Sequence, residues 1–202
     1  IGWLSKTDTV YGFKFLEDVI WIKPEGASKN RNGGFFRHRQ PVAYKPNVVN
    51  EYVFVFQKPM NGLIDKIVRS YKGEIKEKSL VDDGYERSNV WRINPETAVR
   101  QHSAPYPIEL PNKVIQYYSY CNDVVLDPFM GSGTTAIACL NTDRQYIGFE
   151  LDKHYCDIAN ERIQKAIQDK EVRERNTVRE DSWKPPQTRS EGLDDLLSGG
   201  DE

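Results

Sequence analysis

The chain has 202 residues and balances 28 Lys and Arg against 30 Asp and Glu, a net charge of −2, so any polyanionic partner must be met by local charge rather than overall basicity. Apolar runs fall well short of the roughly 20 residues that cross a bilayer, and the first residues lack a secretory pattern, which points to a cytoplasmic protein. Three widely spaced cysteines (Cys121, Cys139, Cys156) and three scattered histidines (His38, His102, His154) argue against a disulfide framework and a structural metal.

The first segment with chemical character is 29–39, Lys-Asn-Arg-Asn-Gly-Gly-Phe-Phe-Arg-His-Arg, a glycine-broken loop of cations, amides and two aromatics. Arg31, Arg37 and Arg39 can grip phosphates or guanine edges, and Phe35 can stack on an unstacked base. A solvated basic loop anchored by its phenylalanines is the alternative. Residues 60–92 mix charges of both signs with little periodicity and read as a small insertion between two better-defined halves.

Residues 123–126, Asp-Val-Val-Leu, read as a short buried strand, and 136–140, Ala-Ile-Ala-Cys-Leu, have helical composition. The nine residues between them, Asp127-Pro128-Phe129-Met130-Gly131-Ser132-Gly133-Thr134-Thr135, therefore fall on a strand-to-helix turn. Gly131 and Gly133 permit positive φ and close approach of a ligand, and Thr134 or Thr135 is placed to cap the helix. Asp127 would repel a pyrophosphate but suits an ammonium group or an array of donors. The stretch 131–136 also satisfies the relaxed dinucleotide fingerprint Gly-x-Gly-x-x-Gly/Ala. A second strand, 145–150, ends in Glu150, which can accept hydrogen bonds from both hydroxyls of a ribose, whether of a nicotinamide cofactor or of S-adenosylmethionine. Beyond it, Tyr155, Ile158, Ala159, Ile163, Ala166 and Ile167 recur at helical spacing within 153–170, and 171–202 has little to bury and is expected to be a disordered tail.

The turn and the segment Tyr146-Ile147-Gly148-Phe149-Glu150-Leu151-Asp152 resemble the cofactor-binding motif pair of S-adenosylmethionine-dependent DNA methyltransferases that modify the exocyclic amino groups of adenine (N6) or cytosine (N4). The likeness extends back to His102-Ser103-Ala104-Pro105-Tyr106-Pro107 with Leu110-Pro111, which is similar to the segment that precedes the glycine turn in the permuted, β-type order of those enzymes. Residues 19–23 and 51–58 are similar to strands on the catalytic side of that fold. The resemblance implies an α/β fold: a Rossmann-like methyltransferase sheet with helices on both faces, circularly permuted and truncated at its N-terminal side, plus a small target-recognition insertion. The parts would be catalytic-side strands with the basic loop at 1–59, the insertion at 60–92, the cofactor-binding part at 93–170 and the tail at 171–202.

It further implies S-adenosylmethionine as cofactor and double-stranded DNA as partner. His102, Ser103, Asp127, Phe129, Gly131, Ser132, Gly133, Thr134, Glu150 and Leu151 would hold the cofactor, with Asp127 and Ser103 at its methionine end, Glu150 on the ribose and Leu151 against the adenine. Arg31, Phe35, Arg37 and Arg39 would touch DNA. No Asp/Asn/Ser-Pro-Pro-aromatic tetrad, which holds the target amino group in the family, occurs in the sequence. Ser103-Ala104-Pro105-Tyr106 differs from it at one position but follows a polar run rather than a strand. No catalytic residue is therefore assigned, and the expectation is a C-terminal portion completed by an upstream segment or a second chain. A non-catalytic cofactor- and DNA-binding subunit, and an NAD-dependent oxidoreductase favoured by the glycine pattern alone, are the competing readings.

Overall fold

The computed structural model describes residues 12–24, 34–35, 38–46, 48–58, 68, 70–96 and 106–182. In chain order these form β1 (Lys14–Ile22), β2 (Gly34–Phe35), β3 (Tyr44–Lys45), β4 (Asn50–Gln57), α1 (Glu74–Lys78), β5 (Val90–Arg92), α2 (Glu109–Tyr118), β6 (Val124–Asp127), α3 (Thr134–Asn141), β7 (Gln145–Gly148) and α4 (Lys153–Ser182).

One sheet has the order β4-β1-β5, with β1 antiparallel to β4 and parallel to β5. Residues on a strand alternate between faces, so Val19 and Trp21 point the same way as their partners Val53 and Trp91. On that face Val19, Trp21, Trp91 and Ile93 are buried together. The indole N–H of Trp21 donates to the Ile93 carbonyl at 2.8 Å, so burial of this ring leaves its donor satisfied. The strand β5 lies within 60–92, expected to be an insertion. It belongs instead to the sheet, because its three residues bury Trp91 against β1 some seventy positions earlier in the chain.

The second sheet is the parallel pair β6-β7, in register from Val124 opposite Gln145 to Asp127 opposite Gly148, joined through α3 as a compact strand–helix–strand unit. Small residues let the helix approach closely: Ala136, Ala138 and Cys139 are fully buried. The helix α2 links the two sheets. Its Leu110, Val114 and Tyr117 cover the tryptophan cluster, while Ile115 packs with Ala138 and Cys139. The guanidinium of the buried Arg144 donates to the Ser119 carbonyl at 2.6 Å and also to the Thr142 carbonyl, so one cation closes the C-terminal ends of α2 and α3.

Helices α2, α3 and α4 all pack on the same side, where Val125 and Tyr146 lie. On the other side Val124, Leu126, Ile147 and Phe149 stay exposed. Residues 171–182, expected to begin the disordered tail, continue α4. Their Glu and Arg content favours helix even with no apolar face to bury. Among the described residues no helix is long and apolar enough to cross a membrane, and no cluster of His, Cys, Asp and Glu could hold a metal ion.

Candidate cofactor site

Parallel pairing brings the carboxyl ends of β6 and β7 side by side, and this is the end of an open α/β sheet where ligands bind. Asp127 closes β6, and Glu150 stands two residues past β7. The glycine turn runs between them. Gly131 and Gly133 have φ of 53° and 84°, the left-handed region that favours glycine. At Gly133 a Cβ would also come within 3.1 Å of the Ala159 Cβ on α4, a tight contact that adds to the conformational preference for glycine there. The expected threonine cap is not made. Gly133 itself is the N-cap of α3, with no side-chain cap hydrogen bond.

The Thr135 hydroxyl is used elsewhere: it donates to Asp127 Oδ2 at 2.6 Å, while Asp127 Oδ1 accepts the Phe129 N–H at 2.9 Å. Tyr106 OH lies 2.7 Å from Thr135 Oγ1. Because the Thr135 proton is committed to Asp127, Tyr106 must be the donor in this pair, giving a chain Tyr106→Thr135→Asp127. Burial is the main influence raising the Tyr106 pKa, which keeps the phenol protonated and able to donate. Each Asp127 oxygen retains a second lone pair for a ligand donor.

Glu150 is held equally firmly. Its Oε1 accepts the N–H groups of Leu151 and Asp152, and its Oε2 accepts the Gly131 N–H, all at 2.9 Å. These bonds, that from Asp152 foremost, lower its pKa below the ordinary 4.5 and keep it an anion. Asp152 Oδ1 then accepts the His154 N–H at 2.8 Å at the start of α4, which fixes the direction of the segment that carries Glu150.

Sequence-expected residues divide by orientation. Phe129 and Leu151 are 86% and 103% exposed at this end of the sheet, free to meet a ligand. Ser132 and Thr134 are buried. Their hydroxyls face inward to Arg162 Nη1, at 2.7 Å and 3.4 Å, so any contact they make with a ligand runs through the backbone. His102 and Ser103 lie outside the described residues, as do Arg31 and Arg37. Phe35 pairs through its backbone with Tyr44 in the β2–β3 ladder, and Arg39 is exposed with a φ of 52°. Sequence reasoning missed Tyr106, Thr135, Ala159 and Arg162 as partners of the turn. Ala159 falls in the apolar helical period of 153–170, whereas nothing in the spacing marks where the Arg162 guanidinium ends.

A family model described as DNA methylase, of the N6/N4 amino-methylating class, matches residues 3–161. The chain belongs to this DNA methylase family. It is 31% identical over 154 residues to the type II methyltransferase M.Cfr9I of Citrobacter freundii, covering 76% of this chain and 45% of that one. Over 183 residues it is 36% identical to the orphan methyltransferase M.BamHII of Bacillus amyloliquefaciens, covering 77% and 64% of the two chains. Among solved structures, a Thermus thermophilus protein described as a putative DNA modification methylase and complexed with S-adenosyl-L-methionine is 28% identical. It superposes with a TM-score of 0.57 over 77% of this chain and 55% of that one. This DNA methylase chain therefore spans between 45% and 64% of the length of these relatives. The Rossmann-like α/β fold and the S-adenosylmethionine-dependent family expected from the motif pair agree with these matches.

Proposed function

We propose that this chain is the cofactor-binding portion of a DNA methyltransferase that methylates the exocyclic amino group of adenine or cytosine in duplex DNA. The observation that carries the reading is the unit of Asp127, glycine turn and Glu150, built at the shared carboxyl end of two parallel strands and tied together by the Gly131–Glu150 hydrogen bond. Glu150, held as an anion, suits the two ribose hydroxyls, and Asp127 suits the ammonium of the methionine end. Phe129 and Leu151 supply apolar surface beside them, and Gly131 and Gly133 let the ligand meet the backbone. Arg31, Phe35, Arg37 and the exposed Arg39 would contact the DNA.

When bound, S-adenosylmethionine supplies the electrophilic methyl group on its sulfonium. The chain's own residues seat that group, whereas the target nitrogen needs a holder of its own. A base flipped from the duplex costs a few kcal/mol of unstacking and must be gripped in a shaped pocket. An Asp/Ser-Pro-Pro-Tyr-type tetrad, expected to do this in the family, does not occur among the 202 residues, and the exposed side of the sheet at Val124, Leu126, Ile147 and Phe149 is apolar enough to receive added chain. Orientation of donor against acceptor can contribute several kcal/mol to the rate, so the portion alone should bind without turning over.

Transfer of a labelled methyl group from S-adenosylmethionine to duplex DNA tests this. The expected result is no transfer by the chain alone and transfer when a polypeptide bearing the tetrad is supplied. Methylation by the chain alone would show that the acceptor is held by residues already present.

A further inference from the structure

Where α4 packs against the glycine turn, a single cation makes a dense set of contacts. Arg162 Nη1 donates to the Ser132 carbonyl at 2.6 Å and to the Ser132 hydroxyl at 2.7 Å, and lies 3.4 Å from Thr134 Oγ1. One turn earlier on the same helix, Ala159 packs so closely that a Cβ at Gly133 would come within 3.1 Å of its own. The turn is therefore gripped by three groups: by Asp127 through Thr135, by Glu150 through the Gly131 N–H, and by α4 through Arg162. We propose that Arg162 is a positioning residue for the cofactor, setting the backbone of the glycine turn from the α4 side so that it meets the ligand already in its binding conformation.

The physical case rests on what the turn would do unaided. Two residues in left-handed conformation, both glycine, form a segment with many accessible states, and each must be frozen when a ligand binds. Charge-assisted hydrogen bonds from a fixed guanidinium remove that freedom in advance, so less ordering cost falls on binding. Glu150 cannot do this alone, because the same carboxylate that holds Gly131 is required by the ribose. Arg162 touches no ligand in this scheme. It acts through Ser132 and Thr134, which explains why two residues of the motif turn their hydroxyls into the protein.

The inference rests on the proposed S-adenosylmethionine reading, and the test separates the two. Calorimetric titration of the full chain with S-adenosylmethionine, well below the unfolding midpoint, compares wild type with Arg162→Met, Arg162→Lys and the remote Arg144→Met. Arg162→Met is expected to bind about ten- to a hundredfold more weakly, the scale of charge-assisted bonds. Arg162→Lys should recover part of the loss, and it stands in if the methionine variant fails to fold. Arg144→Met, which loosens two helix ends away from the turn, should bind as wild type does. Equal binding by wild type and Arg162→Met, or an equal loss in Arg144→Met, would overturn the positioning role in favour of plain stability. If wild type itself does not bind S-adenosylmethionine, the functional reading fails. Amide exchange at Gly131 and Gly133 then decides the clamp on its own, faster exchange in Arg162→Met supporting it and unchanged exchange refuting it.

Discussion

The half built from β6, α3, β7 and α4 and the half built from β1, β4 and β5 solve the same packing problem with opposite materials. The first uses small residues, Ala136, Ala138, Cys139 and Ala159, so that helix and strand backbones come close and polar groups can be fixed between them. The second fills its interior with large rings, Trp21 and Trp91, whose bulk makes a core from few residues. Close backbone packing suits a binding turn, because a site accurate to fractions of an ångström needs neighbours that cannot shift. The ring-filled half supports that site through α2, which touches both cores.

Emptying the ring-filled half should have the largest effect. Trp91→Ala is expected to cost about 3–5 kcal/mol of unfolding free energy. Since α2 joins both cores, chemical denaturation followed by fluorescence and by circular dichroism should remain one transition. Two separate transitions would show that the halves fold independently.

A smaller effect sharpens the account of the binding half. Gly133 has a φ of 84° and Ala159 against it, whereas Gly84 has no positive φ and nothing lies within 4 Å of a Cβ there. Gly133→Ala carries a conformational cost of about 1–2 kcal/mol and a steric cost on top, neither of which applies to Gly84→Ala. Thermal denaturation should therefore rank Gly133→Ala well below Gly84→Ala. Equal midpoints would mean that turn and α4 both yield and that α4 does not grip the turn.

The mildest perturbation is protonation. The Glu150 pKa is lowered in the folded chain, so the contribution of its anion is present above the ordinary value of 4.5 and is lost as pH falls through the lowered value. S-adenosylmethionine affinity and protection of the Gly131 amide should decline together in that window below 4.5 and be flat from there to neutrality. Glu150→Gln should remove this acid limb, and persistence of the limb in the variant would assign it to another group.

The same contrast explains what could be read from the chain itself. The β6–α3–β7 unit was legible because its connections are short and an apolar run is followed, across the turn, by helical composition, although Val124 and Leu126 of the strand expected to be buried are exposed. Asp127, Gly131, Gly133 and Glu150 announce themselves by type and spacing. The strand β5 was hidden: three residues give no period, and the partner that makes them a strand is far away in sequence. Thr134 or Thr135 is expected as a helix cap, yet the Thr135 hydroxyl serves Asp127. Arg162 was invisible as part of the site because its role depends on where a long side chain ends, which spacing does not specify. The helix beyond residue 170 was missed because low apolarity suggested disorder, while local helix propensity prevailed.

We expect the unit of Asp127, glycine turn and Glu150 to seat S-adenosylmethionine and not a nicotinamide dinucleotide. Calorimetric titration of the chain with S-adenosylmethionine and, separately, with NAD tests it most directly. Saturable binding of S-adenosylmethionine, lost in Asp127→Ala, with no heat of binding from NAD, is the predicted result, and tight binding of NAD without S-adenosylmethionine would contradict it.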